Sequence, residues 1–232
     1  MLKGILTGGL MLAAVAAAAQ PAARAEDLAG ASTLTGQPAS HGLPTSAARI
    51  TGFRSARFGD SPADVQAAVA RDFGAAAAAA LAPEQVEPGF TALATRADVA
   101  EMGGKANLLY VFEGDALVAV NLVVATGDRP TDKERDALVQ QASRIASSLL
   151  EQTWRPFATV RGRPLPGGQI ILFAAADDLG DGVELRLVNI GHVPRLADGR
   201  TIQLPATAGA SALRLVFRQD IDGLSILKAG DF

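Results

Sequence analysis

Apolar positions switch between helical and alternating spacing twice along the chain, and the switches predict its elements. Residues 50–59, from Ile50 to Gly59, read as a short strand or extended lead-in. Ser61, Pro62 and Asp64 then form a helix start, with a side-chain cap, a proline at the first helical position and a capping-box acid. Val65, Ala68, Val69 and Phe73 follow on one helical face, and Gly74 is expected to close the helix in the left-handed conformation. The alanines from Ala75 to Ala82 extend this helix or start another before Pro83 and Pro88 end it. Strands are predicted at Phe90–Arg96, Asn107–Glu113 and Ala116–Ala125, with Gly114-Asp115 as a tight connection. A second capping box, Thr131 with Glu134, opens another helix whose buried stripe is Leu138, Ala142, Ile145 and Leu149. Further strands are predicted at Ala158–Arg161, Gln169–Ala175, Val183–Ile190, Thr201–Leu204, Ala212–Arg218 and Leu224–Leu227. Helix then strands, repeated, predicts an α+β fold: antiparallel sheet with two main helices packed on one face. The same order allows two α–β–β–β units, near residues 58–125 and 131–190.

The N-terminus follows a different pattern. Lys3 precedes a run of Leu, Ala, Met, Val and Gly from Ile5 to Ala19, Pro21 breaks it, and Ala23-Arg24-Ala25 gives a small-x-small cleavage site. The run is short of the ~20 residues that span a bilayer, so residues 1–25 read as a signal peptide cut between Ala25 and Glu26. An uncleaved N-terminal anchor is the alternative. No cysteine is present to carry a lipid. Residues 26–49 are rich in Ser, Thr, Gly, Pro and Ala without apolar period, a flexible leader, and residues 50–232 form one domain.

Composition then narrows the function. The chain has 232 residues, with 21 basic and 24 acidic, and removing Lys3 and Arg24 with the signal leaves a net charge of about −5. That balance excludes nucleic acid, whose phosphates require clustered cations, and argues against adhesion to an anionic membrane. The absence of cysteine excludes thiol catalysis, cysteine–zinc sites, iron–sulfur clusters and c-type haem. An exported, Ala- and Arg-rich chain without disulfides points to the periplasm of a Gram-negative bacterium, or to secretion.

Candidate chemistry is sparse. Of the two histidines, His41 lies in the leader and His192 sits after a predicted strand in "NIGHVP". No G-x-S-x-G, H-E-x-x-H, P-loop or dinucleotide fingerprint occurs, so no catalytic, metal or cofactor residues are assigned. "DDLGDG" (Asp177, Asp178, Asp181) has the acidic content of a calcium loop, but Leu179 and Val188 occupy positions that need oxygen ligands, so a hairpin turn explains it better. Trp154 and Tyr110, the single residues of their kinds, read as core rather than as a sugar-stacking platform. Arg54 and Arg57, beside Phe53 and Phe58 and just before a helix N-terminus, form the one candidate interaction patch, able to grip an anionic group or an acidic partner. The favoured alternative is that Phe53 and Phe58 fill the core while the arginine stems cover its edge.

The segment "GFRSARFGDSPADVQAAVARDFG", together with the closing Gly230-Asp231-Phe232, resembles a family of uncharacterised exported alphaproteobacterial proteins. That resemblance implies export and carries no activity. Gly59, Ser61, Asp64 and Val65 also resemble the helix start of small periplasmic α+β modules, the outer-membrane assembly lipoproteins of the SmpA/OmlA type and the β-lactamase-inhibitor protein. This second likeness covers one helix cap and implies protein binding. The expected function is therefore a non-catalytic module that binds another exported or envelope protein at a sheet face or edge, without a cofactor. A carrier of a small apolar or amphipathic ligand is the alternative, and an unrecognised hydrolase around His192 comes third.

Overall fold

The computed structural model describes residues 47–193, 202–203 and 209–220. The expected signal segment with Ala25 and Glu26, His41, the expected strand at Leu224–Leu227 and the closing Gly230-Asp231-Phe232 lie outside these residues. In chain order the elements are β1 (Gly52–Phe53), β2 (Ala56–Arg57), α1 (Pro62–Phe73), α2 (Ala75–Ala79), β3 (Ala82–Glu84) and β4 (Phe90–Val99). A 3-10 turn at Ala100–Met102 leads to β5 (Gly104–Glu113), β6 (Ala116–Ala125) and α3 (Asp132–Leu150). Then come β7 (Thr159–Leu165), β8 (Gln169–Ala176), β9 (Gly182–Val188), β10 (His192–Val193), β11 (Ile202–Gln203) and β12 (Ala212–Arg218).

Both long helices begin on reciprocal caps. The Ser61 hydroxyl accepts the Asp64 N–H at 3.3 Å while the Asp64 carboxylate accepts from the Ser61 N–H at 3.4 Å. Thr131 and Glu134 repeat the arrangement at α3, at 3.3 and 2.7 Å. Each satisfies N–H groups that the first helical turn leaves without partners. Gly74 departs from expectation: its φ of 89° is positive but its ψ of 164° is extended, so it is not a left-handed cap. The chain instead reverses sharply there and restarts as α2, through a conformation open essentially to glycine. Pro83 does not simply end a helix either, because it sits inside the short strand β3.

The main sheet has eight strands in the order β3-β4-β5-β6-β12-β9-β8-β7, and every neighbouring pair in it is antiparallel. The fold is thus mixed α+β with an antiparallel sheet, as expected. Two smaller pairs, β1–β2 and β10–β11, stand apart from it. β6 meets β12 along seven residue pairs, from Ala119↔Arg218 to Ala125↔Ala212. Both edge strands carry a proline, Pro83 on β3 and Pro164 on β7, where a missing N–H is tolerated.

Alternation sorts the strand residues onto two faces. One face carries Leu108, Tyr110 and Phe112 of β5, Val120 and Leu122 of β6, Leu213 and Leu215 of β12, and Leu185 and Leu187 of β9. These join Val65, Ala68 and Val69 of α1 and Leu138, Val139, Ala142 and Leu149 of α3 in one buried cluster. A second, smaller cluster is made of Ala158, Val160, Ile171, Ala174 and Ala176 and includes no helical residue. Upstream, Ala48 is buried and its N–H donates to the Thr153 carbonyl at 2.7 Å.

In urea unfolding, Leu185→Ala is expected to cost about 3 kcal/mol, the loss typical of a core leucine that leaves a cavity. Ser61→Ala, which removes one cap, is expected to cost about 1 kcal/mol with an unchanged m-value.

Candidate functional site

The expected patch at Arg54 and Arg57 is a two-residue hairpin. Phe53 pairs with Ala56 and Gly52 with Arg57, which leaves Arg54 and Ser55 as the turn, with Arg54 at a φ of 54°. Gly52 is obligatory for this turn: at its φ of +132° a Cβ would lie 2.0 Å from the Ala56 carbonyl oxygen. Ser55 is held by Asp72 at the end of α1, its N–H at 2.9 Å and its hydroxyl at 2.7 Å from the carboxylate oxygens. The turn drives Phe53 inward, with its ring 5.5 Å from that of Phe217 and 6.5 Å from that of Phe73.

Arg54 closes this stack. Its guanidinium lies 4.8 Å from the Phe73 ring centre and 5.6 Å from that of Phe53. It also binds Glu101 through Nη2 at 2.6 Å and Nε at 3.3 Å. Arg57 points elsewhere: its Nη1 donates to Thr51 Oγ1 at 2.6 Å, and its N–H to Asp60 at 2.7 Å. The two guanidiniums therefore serve different partners and do not converge on one ligand position. Burial raises the Glu101 pKa, but the hydrogen bond from Arg54, a backbone bond and the Arg54 charge outweigh it and hold the carboxyl below the usual range. Burial, then the Asp72 charge, pushes the Tyr110 phenol up against the opposing pull of Arg54, so this hydroxyl stays protonated.

Beside the stack runs an open groove of about 520 Å³, between the α1–α2 corner and β4. Phe73, Ala76, Ala77, Ala80 and Ala97 line it, with Asp72, Arg96 and Asp98 at its polar side.

The residues that sequence reasoning passed over lie on the sheet face opposite the main core. Register places Arg163, Ile171, Arg186, Arg214 and Val123 in one row across β7, β8, β9, β12 and β6. The adjoining row carries Glu184, Val216, Asn121 and Leu109. Val123, Val216 and Leu109 are half-buried, whereas Glu184 is only 4 % exposed. Arg186 donates to Glu184 through Nε at 2.8 Å and Nη2 at 2.6 Å, and through Nη1 to Gln169 at 3.1 Å. Arg214, its direct cross-strand neighbour, has a buried Nε that donates to no acceptor. The signal was present in "VELRLV" and "ALRLVFR", where charges occupy alternate positions of otherwise apolar strands. That these strands are neighbours could not be read from either segment alone.

The remaining candidates are accounted for by local geometry. Asp177 organises the β8–β9 turn, accepting from the N–H groups of Leu179 at 2.8 Å, Asp181 at 3.1 Å and Ile50 at 3.0 Å. Trp154 donates its indole N–H to the Leu149 carbonyl at 2.7 Å and tilts against Phe173, and Tyr110 is in the core. His192 sits on β10 opposite Gln203. Among the described residues no cluster of three His, Asp or Glu side chains could hold a metal, and no helix is long and apolar enough to cross a membrane. No protein-family model matches the chain, and neither curated proteins nor solved structures include a match.

Because the Glu101 carboxyl is depressed in the folded state, its bond to Arg54 contributes stability at pH values above the ordinary 4.5. That contribution is lost as the pH falls through the lower folded-state pKa. Thermal unfolding of Glu101→Gln between pH 6 and pH 3 is expected to show a shallower acid decline than the unsubstituted chain.

Proposed function

We propose that this chain is a non-catalytic module that binds another exported or envelope protein through the sheet face opposite the main core. The observation that carries the reading is the pairing of closed edges with a half-open face. Pro83 and Pro164 lie on the two edge strands, where each removes a ladder donor and discourages strand addition. The face, by contrast, offers half-buried Leu109, Val123 and Val216 interleaved with Asn121, Arg186 and Arg214, a mixed apolar and polar surface such as protein interfaces use. Binding by face rather than edge selects between the two modes that the sequence left open.

Under the same reading, α1 and α3 lie together on the core face, each leading a four-strand unit. The first unit is β3 to β6 and the second is β7 to β9 with β12, meeting at the β6–β12 seam. The strand order, which runs outward from that seam in both directions, supports such a duplication. The shared burial of α1 and α3 residues in one cluster supports their common face. Residues 1–25 act as the signal peptide, and the mature protein works in the periplasm of a Gram-negative bacterium or beyond it. The likeness to uncharacterised exported alphaproteobacterial proteins is consistent with that address. A second reading, a carrier of a small apolar or amphipathic ligand, rests on the groove beside Phe73, half of whose lining residues are alanine.

Terminal sequencing of the exported chain should read Glu-Asp-Leu, from Glu26. Native mass spectrometry of the mature protein from its host's envelope fraction should show a protein-sized increment. That increment should vanish in folded Val123→Asp/Val216→Asp and persist in Arg57→Glu. An increment of a few hundred daltons would establish the carrier instead, and a bare chain in every sample would overturn both readings.

A further inference from the structure

The sheet face carries a half-buried cation that none of its described residues pairs. Glu184, buried in the sheet, accepts both the Nε and the Nη2 of Arg186 on its Oε1, and Gln169 takes the third nitrogen of Arg186. Arg214 stands directly across the strand from Arg186 and makes no hydrogen bond or ion pair with any described residue. Two guanidiniums on adjacent strands repel each other, and a half-buried cation without an acceptor is destabilising. Burial, then the Arg186 charge, lowers the Arg214 pKa against the weaker pull of Glu184. Among the described residues Arg135 shares the feature of a buried, unbonded Nε, but its guanidinium already pairs with Asp132 at 3.0 Å. Arg214 is thus a described cation, its Nε buried, that the fold leaves without a partner.

We propose that Arg214, oriented beside the Arg186–Glu184 pair, receives a carboxylate of the partner protein, presented on an extended acidic segment that lies along β12. This deepens the protein-binding reading and rests on it. The chemistry favours a carboxylate on an extended chain for two reasons. Guanidinium offers a planar fork that a carboxylate matches with two parallel bonds. Along β12 the same face reads Arg214, Val216, Arg218, so cation, apolar and cation recur at the two-residue period of an extended strand. A segment with acid, apolar and acid side chains at alternate positions is complementary to that sequence in charge and in spacing. The partner is therefore acidic along the segment it docks, although this chain itself carries net negative charge.

A capped synthetic peptide, Glu-Ser-Val-Ser-Glu-Ser-Val, tests the assignment against a lysine-for-glutamate counterpart, both titrated into the full mature protein by calorimetry. The glutamate peptide should bind, weaken with added salt, and lose about tenfold or more in affinity with Arg214→Met, the loss of one charge-assisted bidentate pair. The lysine peptide should not bind. Arg214→Met should also melt at a higher temperature than the parent, because it removes an uncompensated charge. A lower melting temperature would mark Arg214 as a structural residue and overturn the proposal. Failure of the glutamate peptide to bind, or unchanged affinity in Arg214→Met, would overturn it as well. If the envelope partner still leaves Val123→Asp/Val216→Asp while the peptide result fails, the acidic-segment assignment falls alone. If the partner remains bound to that variant, the face reading falls with it.

Discussion

The pairing of β6 with β12 is the constraint on which the rest of the structure depends. Among the described residues its ladder is the one that joins β3–β6 to β7–β9, through β12, and it closes a loop of nearly ninety residues, from Ala125 to Ala212. Such closure is entropically costly and slow to form, because the chain is ordered before distant contacts reward it. The reward is a continuous apolar face: Val120 and Leu122 on one side of the seam meet Leu213, Leu215 and Phe217 on the other. The opposite side of the same seam brings Val123 and Asn121 beside Arg214 and Val216, so one set of hydrogen bonds builds both the core and the half-buried opposite face.

A second clamp links the chain's start to this seam. Phe53 packs on Phe217 of β12, Arg54 seals Phe53 and Phe73 from above, and Glu101 fixes Arg54. The Glu101 carbonyl in turn accepts the Gln141 side chain of α3 at 2.6 Å, and Gln141 is itself held by Arg144. Gly103 leaves room for that glutamine, since a Cβ there would come within 3.0 Å of its Oε1. The hairpin, the β4–β5 connection and α3 are thus tied by three side chains that lie far apart in the sequence.

Local chemistry was legible in the residues, and non-local pairing was not. Both helix starts follow from Ser61 with Asp64 and Thr131 with Glu134, because a capping box is closed within four residues. Ala116–Ala125 and Ala212–Arg218 coincide with observed strands because both are bounded by turn residues and dense in Val and Leu. β3 was missed because a proline in a short alanine-rich segment signals a stop, and only a neighbour such as β4 turns it into an edge strand. The Asp177 turn was readable, yet its reach to the Ile50 N–H across 127 residues was not. The same limit hid the Arg214 and Arg186 neighbourhood, while Arg54, conspicuous in sequence, is spent on sealing the aromatic stack.

The edge prolines bear on how many copies can join. A sheet with receptive edges has a valence of two for strand addition and can grow without limit, copy upon copy. Pro83 and Pro164 lower that valence towards zero, which leaves one broad face per molecule. An assembly made through such a face is self-terminating: once two surfaces meet, nothing remains to propagate.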